Sequence, residues 1–385
     1  MITILMPCLN EIETLPKCIA KAKEWASKAN HQVQILIADN GSTDGSVEYA
    51  LAQGIDVTNV MMRGYGAALF QGCTVAKGDW IIMGDSDDSY DFSNLTPFVE
   101  QLENGYELVM GNRFLGGIED GAMPWKNRYI GNPVLTKIGK VLFSSKSNDF
   151  HCGIRAITKV GFNKLDLRTT GMEFASEMVI KATLLKLNIC EVPTTLSKDG
   201  RSRPPHLRPW RDGWRHLKFM LMFSPDYLFL YPGYFTFIIS TIASCFIFIN
   251  GKLKILNVEF SNNSLIYLSV LSILGLSSIL FSFLVKSIGL RDGLFKVKHI
   301  TKGYEYLMEY GVILAFAFAG FGVYLGQSAV SEWGGNILKS DINMHLYREV
   351  ALSAYLIAIG GVLFLFSLTA GFMSLPVRRA ENASF

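Results

Sequence analysis

The sequence predicts an α/β domain with a mainly parallel sheet, followed by a basic amphipathic interface segment and four transmembrane helices. Three observations predict this. Short β-rich runs alternate with helical stretches in the N-terminal half, four long stretches of the C-terminal half lack Asp, Glu, Lys and Arg, and an arginine-rich strip lies between. The strand-like runs are residues 2–6, 34–38, 80–84 and 108–111, with helical stretches at 15–28 and 46–53. A strand, a crossover helix and a second strand in succession build a parallel sheet, whose ligands gather at the carboxyl ends of the strands. The apolar stretches are residues 227–249, 265–285, 310–331 and 350–375. Each exceeds the roughly 20 residues that a helix needs to cross a bilayer.

The expected boundaries are residues 1–200 for the α/β domain, 201–225 for the interface segment, 226–376 for the membrane domain and 377–385 for a tail. In the interface segment Arg201, Arg203, Arg208, Arg211, Arg215 and Lys218 face Asp212 alone and are interleaved with Trp210, Trp214 and Phe219. That mixture suits a helix lying on a membrane face, with a solvated linker helix as the plainer alternative. An even number of spans puts both termini on one side. The loop after the second span carries Lys286, Arg291, Lys296, Lys298 and Lys302, and the tail carries Arg378 and Arg379; the opposite loops hold Lys252, Lys254, Lys339 and Arg348. The positive-inside rule then places the α/β domain and both termini in the cytoplasm of an integral membrane protein. No signal-peptide pattern precedes the first strand, and the six cysteines form no CxxC pair, which fits a reducing compartment. A net charge of +3 gives no reason to expect a nucleic-acid partner.

The chemistry concentrates in loops after the strands. Asp85-Ser86-Asp87-Asp88 and Asp91 follow the third strand-like run. Carboxylates gathered there call for a cation, and magnesium or manganese, which favour hard oxygen ligands while bridging phosphates, suit an Asp-x-Asp pair. Pro7-Cys8-Leu9-Asn10-Glu11 follows the first run, and Asp39-Asn40-Gly41-Ser42-Thr43-Asp44 the second. Asp39 can accept hydrogen bonds from a base or ribose. Arg63-Gly64-Tyr65-Gly66 leads into a helical stretch and could cradle phosphate at a helix N-terminus.

The order of these four elements, together with Met110-Gly111-Asn112-Arg113-Phe114, Phe150-His151-Cys152-Gly153-Ile154-Arg155 and Glu191-Val192-Pro193, resembles family 2 glycosyltransferases of the GT-A fold. Within that family it looks like the polyprenyl-phosphate glycosyltransferases of the dolichol-phosphate mannose synthase type, over roughly residues 1–225. The resemblance implies that Pro7, Leu9, Asn10, Glu11 and Asp39 hold a nucleotide-sugar, joined by Arg63, Gly64, Gly66 and Ser86. It implies that Asp85 and Asp87 serve the metal and diphosphate, and that Arg113, Arg128 and Arg155 grip the acceptor phosphate or the diphosphate. Arg201, Ser202 and Arg203 resemble the segment that closes the site near the membrane. Asp85, Asp87 and Arg155 are the expected catalytic residues. Two departures bear on the metal: Ser89 stands where relatives often have Gln, and Asp88 where they have a more hydrophobic residue.

The expected activity is therefore a metal-dependent, inverting transfer of a hexose from a nucleotide-diphosphate sugar to undecaprenyl or dolichyl phosphate at the cytoplasmic membrane face. Partners are the donor, the lipid and the membrane, with room for a homo-oligomer. A lipid monophosphate is largely ionised at neutral pH and needs no strong base. A lipid hydroxyl does need one, and Glu173 and Glu177, one helical turn apart, are the candidates. A glycolipid synthase and a non-catalytic nucleotide-sugar sensor are the rivals. The intact Asp85 and Asp87 count against the sensor, and spans free of ionisable residues count against a transporter.

Overall fold

The computed structural model describes residues 1–202, 209–291, 302–335 and 344–375. Arg203 and the tail at 377–385 fall outside the described residues. The chain divides into two compact units, Met1–Leu221 and Met222–Phe385, so the helix Pro209–Met222 begins in the α/β unit.

The first unit is built on a sheet of seven strands: β1 (Ile2–Cys8), β2 (Val33–Asp39), β3 (Asp56–Asn59), β4 (Trp80–Met83), β5 (Leu108–Asn112), β6 (Arg155–Thr158) and β7 (Ile189–Pro193), in the order β3-β2-β1-β4-β6-β5-β7. Only β6 runs antiparallel to its neighbours, β4 and β5. The sheet is thus the mainly parallel one expected. β1 is apolar on both faces because helices cover both, and Ile2, Ile4, Leu5 and Met6 are fully buried. Helix Leu15–Lys28 starts with Pro16 in its first turn and buries Leu15, Cys18, Ile19, Ala22 and Trp25, the spacing of one apolar stripe. Trp25 Nε1 donates to Thr96 Oγ1 at 3.1 Å, which satisfies its polar edge. Phe92 and Phe98 are also buried in this core, each contributing roughly 1.5–3 kcal/mol.

Among the described residues, the second unit contains four helices long and apolar enough to cross a membrane: Asp226–Asn250, Asn262–Arg291, Tyr306–Glu332 and His345–Ser374. Each contains or closely matches one expected span. Apolar side chains such as Phe316 and Phe372 point outward, as lipid-facing residues do. Within the bundle, a core of Leu280, Ala315, Ile359, Leu363 and Phe366 forms where small residues let backbones approach. The helix after the second expected span continues to Arg291, so Lys286 is not a loop residue. It is buried and ion-paired with Asp226. A short hairpin, Leu253–Ile255 with Val258–Phe260, joins the first two spans.

Candidate active site

A cleft of about 940 Å³ lies at the carboxyl ends of β1, β2 and β4. Of the residues singled out in the sequence, Pro7, Leu9, Glu11, Arg63, Gly64, Asp85, Ser86, Asp87 and Arg201 line it. Asn10 and Asp39 stand just behind. Asp39 is buried and accepts from the backbone N–H groups of Gly41 (3.0 Å) and Ser42 (3.2 Å), while Asn10 Oδ1 accepts from Thr43 N at 2.7 Å. Both therefore shape the loop after β2 and do not face the cleft.

The two central carboxylates are held differently. Ser86 Oγ donates to the Pro7 carbonyl and Thr14 Oγ1 to the Ser86 carbonyl, both at 2.7 Å, which ties the acidic loop to the end of β1. Asp87 is oriented on one oxygen by Ser89, whose Oγ donates to Oδ1 at 2.5 Å, and on the other by Arg201 Nη2 at 3.0 Å. Ser89 thus serves Asp87 from the position that the resemblance marks as a departure, and Asp88 turns away to pair with Lys21 at 2.7 Å. Burial and then the charge of Asp87 push the Asp85 carboxyl up to about 6, against the pull of the Tyr65 hydroxyl, Arg155 and Arg201. Beneath it the chain must be glycine: a Cβ on Gly153 would lie 2.3 Å from Asp85 Oδ2. Among the described residues no group of three or more His, Cys, Asp or Glu is placed to hold a metal ion. The protein offers two carboxylates, one of them buried beside the charge of the other. That donor set fits a cation that completes its shell with water and phosphate oxygens.

The opposite wall is a pair of loops packed backbone to backbone. Gly64 has φ +139°, and a Cβ there would meet the Thr170 carbonyl oxygen at 2.2 Å. Gly66 is buried against the same loop, and the Ala67 N–H donates to Thr170 O at 3.0 Å. The Ala67 N–H is thus engaged by protein, and Gly66 packs against the loop at 169–171 without lining the cleft. Asn40 fixes this wall, accepting from Gly64 N and donating to the Met62 carbonyl. Glu177 is fully buried, pairs with Lys181 at 2.8 Å and accepts from the backbone of Arg168 and Thr169. It anchors the loop and is not available as a base. Glu173 lines the cleft and accepts from Arg215 Nε at 2.8 Å.

The arginines separate just as clearly. Arg113 is buried against Asp149, and Arg155 is buried with its guanidinium donating to the carbonyls of Ala175 and Cys152. Neither lines the cleft, so neither is placed to grip a phosphate there; Arg155 acts on Asp85 only through its field. Arg128 stacks its guanidinium 5.6 Å from the Tyr129 ring, also away from the cleft. Arg201 lines it but is bound to Glu11, Asp87 and Asp199, and Ser202 is turned to Glu13. Among the described residues, the cations lining the cleft besides Arg63 and Arg201 are Arg168, Arg211 and Arg215. Arg211 and Arg215 belong to the basic strip, whereas Arg168 and the flanking Thr169–Thr170 carried no motif that could have marked them. A second feature passed unread in the sequence: Trp125, Tyr129, Ile130 and Val134 are exposed beside Lys126 and Lys137, an aromatic and basic surface of the kind found at membrane interfaces.

Residues 3–166 match the family model described as glycosyl transferase family 2. The low-salt glycan biosynthesis hexosyltransferase Agl6 of Haloferax volcanii is 36% identical over 246 residues, which is 63% of this chain and 58% of that protein. The chain thus spans less than two thirds of that relative. The dolichyl-phosphate hexose transferase of the same organism is 28% identical over 41% of this chain and 68% of its own length. A solved glucosyl-3-phosphoglycerate synthase from Mycobacterium tuberculosis, in complex with Mn2+ and UDP, aligns with a TM-score of 0.45 and 19% identity over 57% of this chain and 78% of that one.

Proposed function

Because residues 3–166 form a glycosyl transferase family 2 domain, we propose that this membrane protein transfers a hexose from a nucleotide-diphosphate sugar to a polyprenyl phosphate at the cytoplasmic membrane face. The observation that carries the reading is the polarity of the cleft. Asp85 and Asp87 stand at its sheet side, and Arg63, Arg168, Arg211 and Arg215 line the same space. Acids at one side suit a metal-clamped diphosphate, and guanidinium groups suit a second phosphate. The dolichyl-phosphate hexose transferase relative and the four apolar helices support a lipid acceptor.

In this reading an oxygen of the lipid phosphate attacks the anomeric carbon as the bond from that carbon to the diphosphate oxygen breaks. The electron pair leaves with the nucleoside diphosphate on the opposite face, so the configuration inverts. Asp85 and Asp87 would hold magnesium or manganese, which when bound supplies charge stabilisation for the departing diphosphate. Ser89 and Arg201 keep Asp87 in one orientation, and the loop at 168–171 presents Arg168. The acceptor phosphate has a second pKa of about 6 and attacks without a general base. Glu173, held by Arg215, then serves to position that arginine.

The test is incubation of the purified protein with radiolabelled nucleotide-sugars, manganese or magnesium, and undecaprenyl or dolichyl phosphate. Label in the organic phase that is lost with EDTA and released by mild acid is the expected result. Label that appears only with diacylglycerol as acceptor would replace this reading with a glycolipid synthase.

A further inference from the structure

The membrane unit contains a second cavity, of about 220 Å³, walled by the helices Asp226–Asn250, Asn262–Arg291 and His345–Ser374. Phe248, Leu265 and Leu352 give it an apolar wall, and the exposure of Ile249 shows that it opens on the outer surface of the bundle. Arg348 stands at one end. Its Nε donates to Asn262 Oδ1 at 2.8 Å and its Nη1 to the Phe248 carbonyl at 3.1 Å. Neither partner is charged, and no ion pair to Arg348 forms among the described residues. Lys286, by contrast, is paired with Asp226. Arg348 therefore has neutral hydrogen-bond partners and no counter-charge among the described residues, which leaves its guanidinium able to take an anion.

A second feature lies in the same cavity. Ser244 Oγ is buried without a hydrogen-bond partner, although nearby Thr241, Ser272 and Tyr355 satisfy one another at 2.8 and 2.7 Å. Ser244 precedes Phe248 by about one helical turn, or roughly 6 Å along the axis. Arg348 itself lies at the end of the unit remote from Asp226. The helix Asp226–Asn250 rises roughly 37 Å between those ends, which brings Arg348 to the level of lipid headgroups.

We propose that this cavity binds an anionic glycerophospholipid, with its phosphate on Arg348, a glycerol-linkage oxygen on Ser244 and the start of one chain against Phe248, Leu265 and Leu352. Each part of such a lipid meets a feature that the protein leaves open to it: charge for the guanidinium, an oxygen for the hydroxyl, hydrocarbon for the wall. A free phosphate would answer only the first.

The full chain is reconstituted in nanodiscs of equimolar phosphatidylglycerol and phosphatidylcholine, released in mild detergent and examined by native mass spectrometry for retained lipid. The wild type should retain phosphatidylglycerol over phosphatidylcholine by about tenfold, the scale of one charge-assisted contact. Arg348→Gln should bring the two to parity, while Lys254→Gln, an exposed cation on the neighbouring hairpin, should leave the preference intact. Ala351→Phe, which narrows the cavity and leaves Arg348 in place, should also displace the lipid, and it decides the matter if Arg348→Gln does not fold. Undiminished retention in either folded variant, or no preference in the wild type, overturns the proposal. So does displacement of phosphatidylglycerol by inorganic phosphate alone at equal concentration.

Discussion

Arg113 and Asp149 form a two-pronged ion pair, Nε to Oδ2 and Nη2 to Oδ1, each at 2.7 Å. The Arg113 backbone N–H adds a third contact to the same carboxylate at 3.1 Å, and both residues are buried. An arginine that the motif pattern assigns to substrate is instead a structural tie between the end of β5 and the loop before β6. Its loss leaves a buried carboxylate unpaired. Arg113→Ala should therefore destabilise the first unit by about 3–5 kcal/mol, read as a lower midpoint in thermal or denaturant unfolding. An unchanged midpoint with a raised KM for the lipid would return Arg113 to the substrate.

Asp87→Asn should lower kcat by at least about a hundredfold while leaving the melting temperature near wild type. The amide keeps one oxygen for Ser89, and Arg201 keeps Glu11 and Asp199, so the loop has reason to stay in place. Near-normal turnover in the folded variant removes Asp87 from the metal site.

Gly64→Ala and Gly45→Ala separate close approach from backbone conformation alone. Both glycines have positive φ, but a Cβ on Gly45 meets nothing within 4 Å, whereas on Gly64 it meets Thr170 O at 2.2 Å. The strained conformation costs about 1–3 kcal/mol at either site. Gly64→Ala should cost more and also raise the donor KM, because Arg63 and Tyr65 line the cleft on either side. Equal melting temperatures for the two variants would contradict the backbone contact.

Arg168→Ala and Arg211→Ala should each raise KM for the lipid phosphate by about tenfold, the effect of losing one charge-assisted contact. Both side chains are exposed, so unfolding midpoints should hardly move. The outcome that counts against the assignment is a donor KM that rises while the lipid KM stays constant.

Glu191 supplies a pH dependence. Burial pushes its pKa up, but hydrogen bonds from Ser147, Asn148 and Asn112 outweigh burial and hold it below the usual glutamate value. A depressed folded pKa contributes stability that is fully present above the unfolded value, about 4.3, and is lost as pH falls through the folded one. Denaturant midpoints between pH 6 and the acid limb should thus decline less steeply in Glu191→Gln than in the wild type. Parallel curves would show that Glu191 carries no such linkage.

What could be read in advance follows the range of the interactions. β1, β2, β4 and β5 are apolar runs whose own residues declare burial, and the four spans declare themselves by length. β3, with Asp56 and Asn59, is a polar edge strand, and β6 begins with an arginine kept buried by bonds to the remote Ala175 carbonyl and to Cys152. Neither advertises a strand. In the site, the acidic loop and the loops after β1 and β2 were legible because each follows its strand directly. Which arginines reach the cleft was not, since the deciding partners are remote: Asp149 lies 36 residues from Arg113, and Glu173 lies 42 from Arg215. Lys286 was misplaced for the same reason, its partner Asp226 being 60 residues away.

The most direct measurement of the central claim compares initial rates with polyprenyl phosphate and with the matching polyprenol at equal concentration, using one labelled donor. Transfer to the phosphate alone, with inverted anomeric configuration in the product, is the result expected from a cleft that joins an acidic pair to a set of arginines. Equal or faster transfer to the alcohol would contradict it.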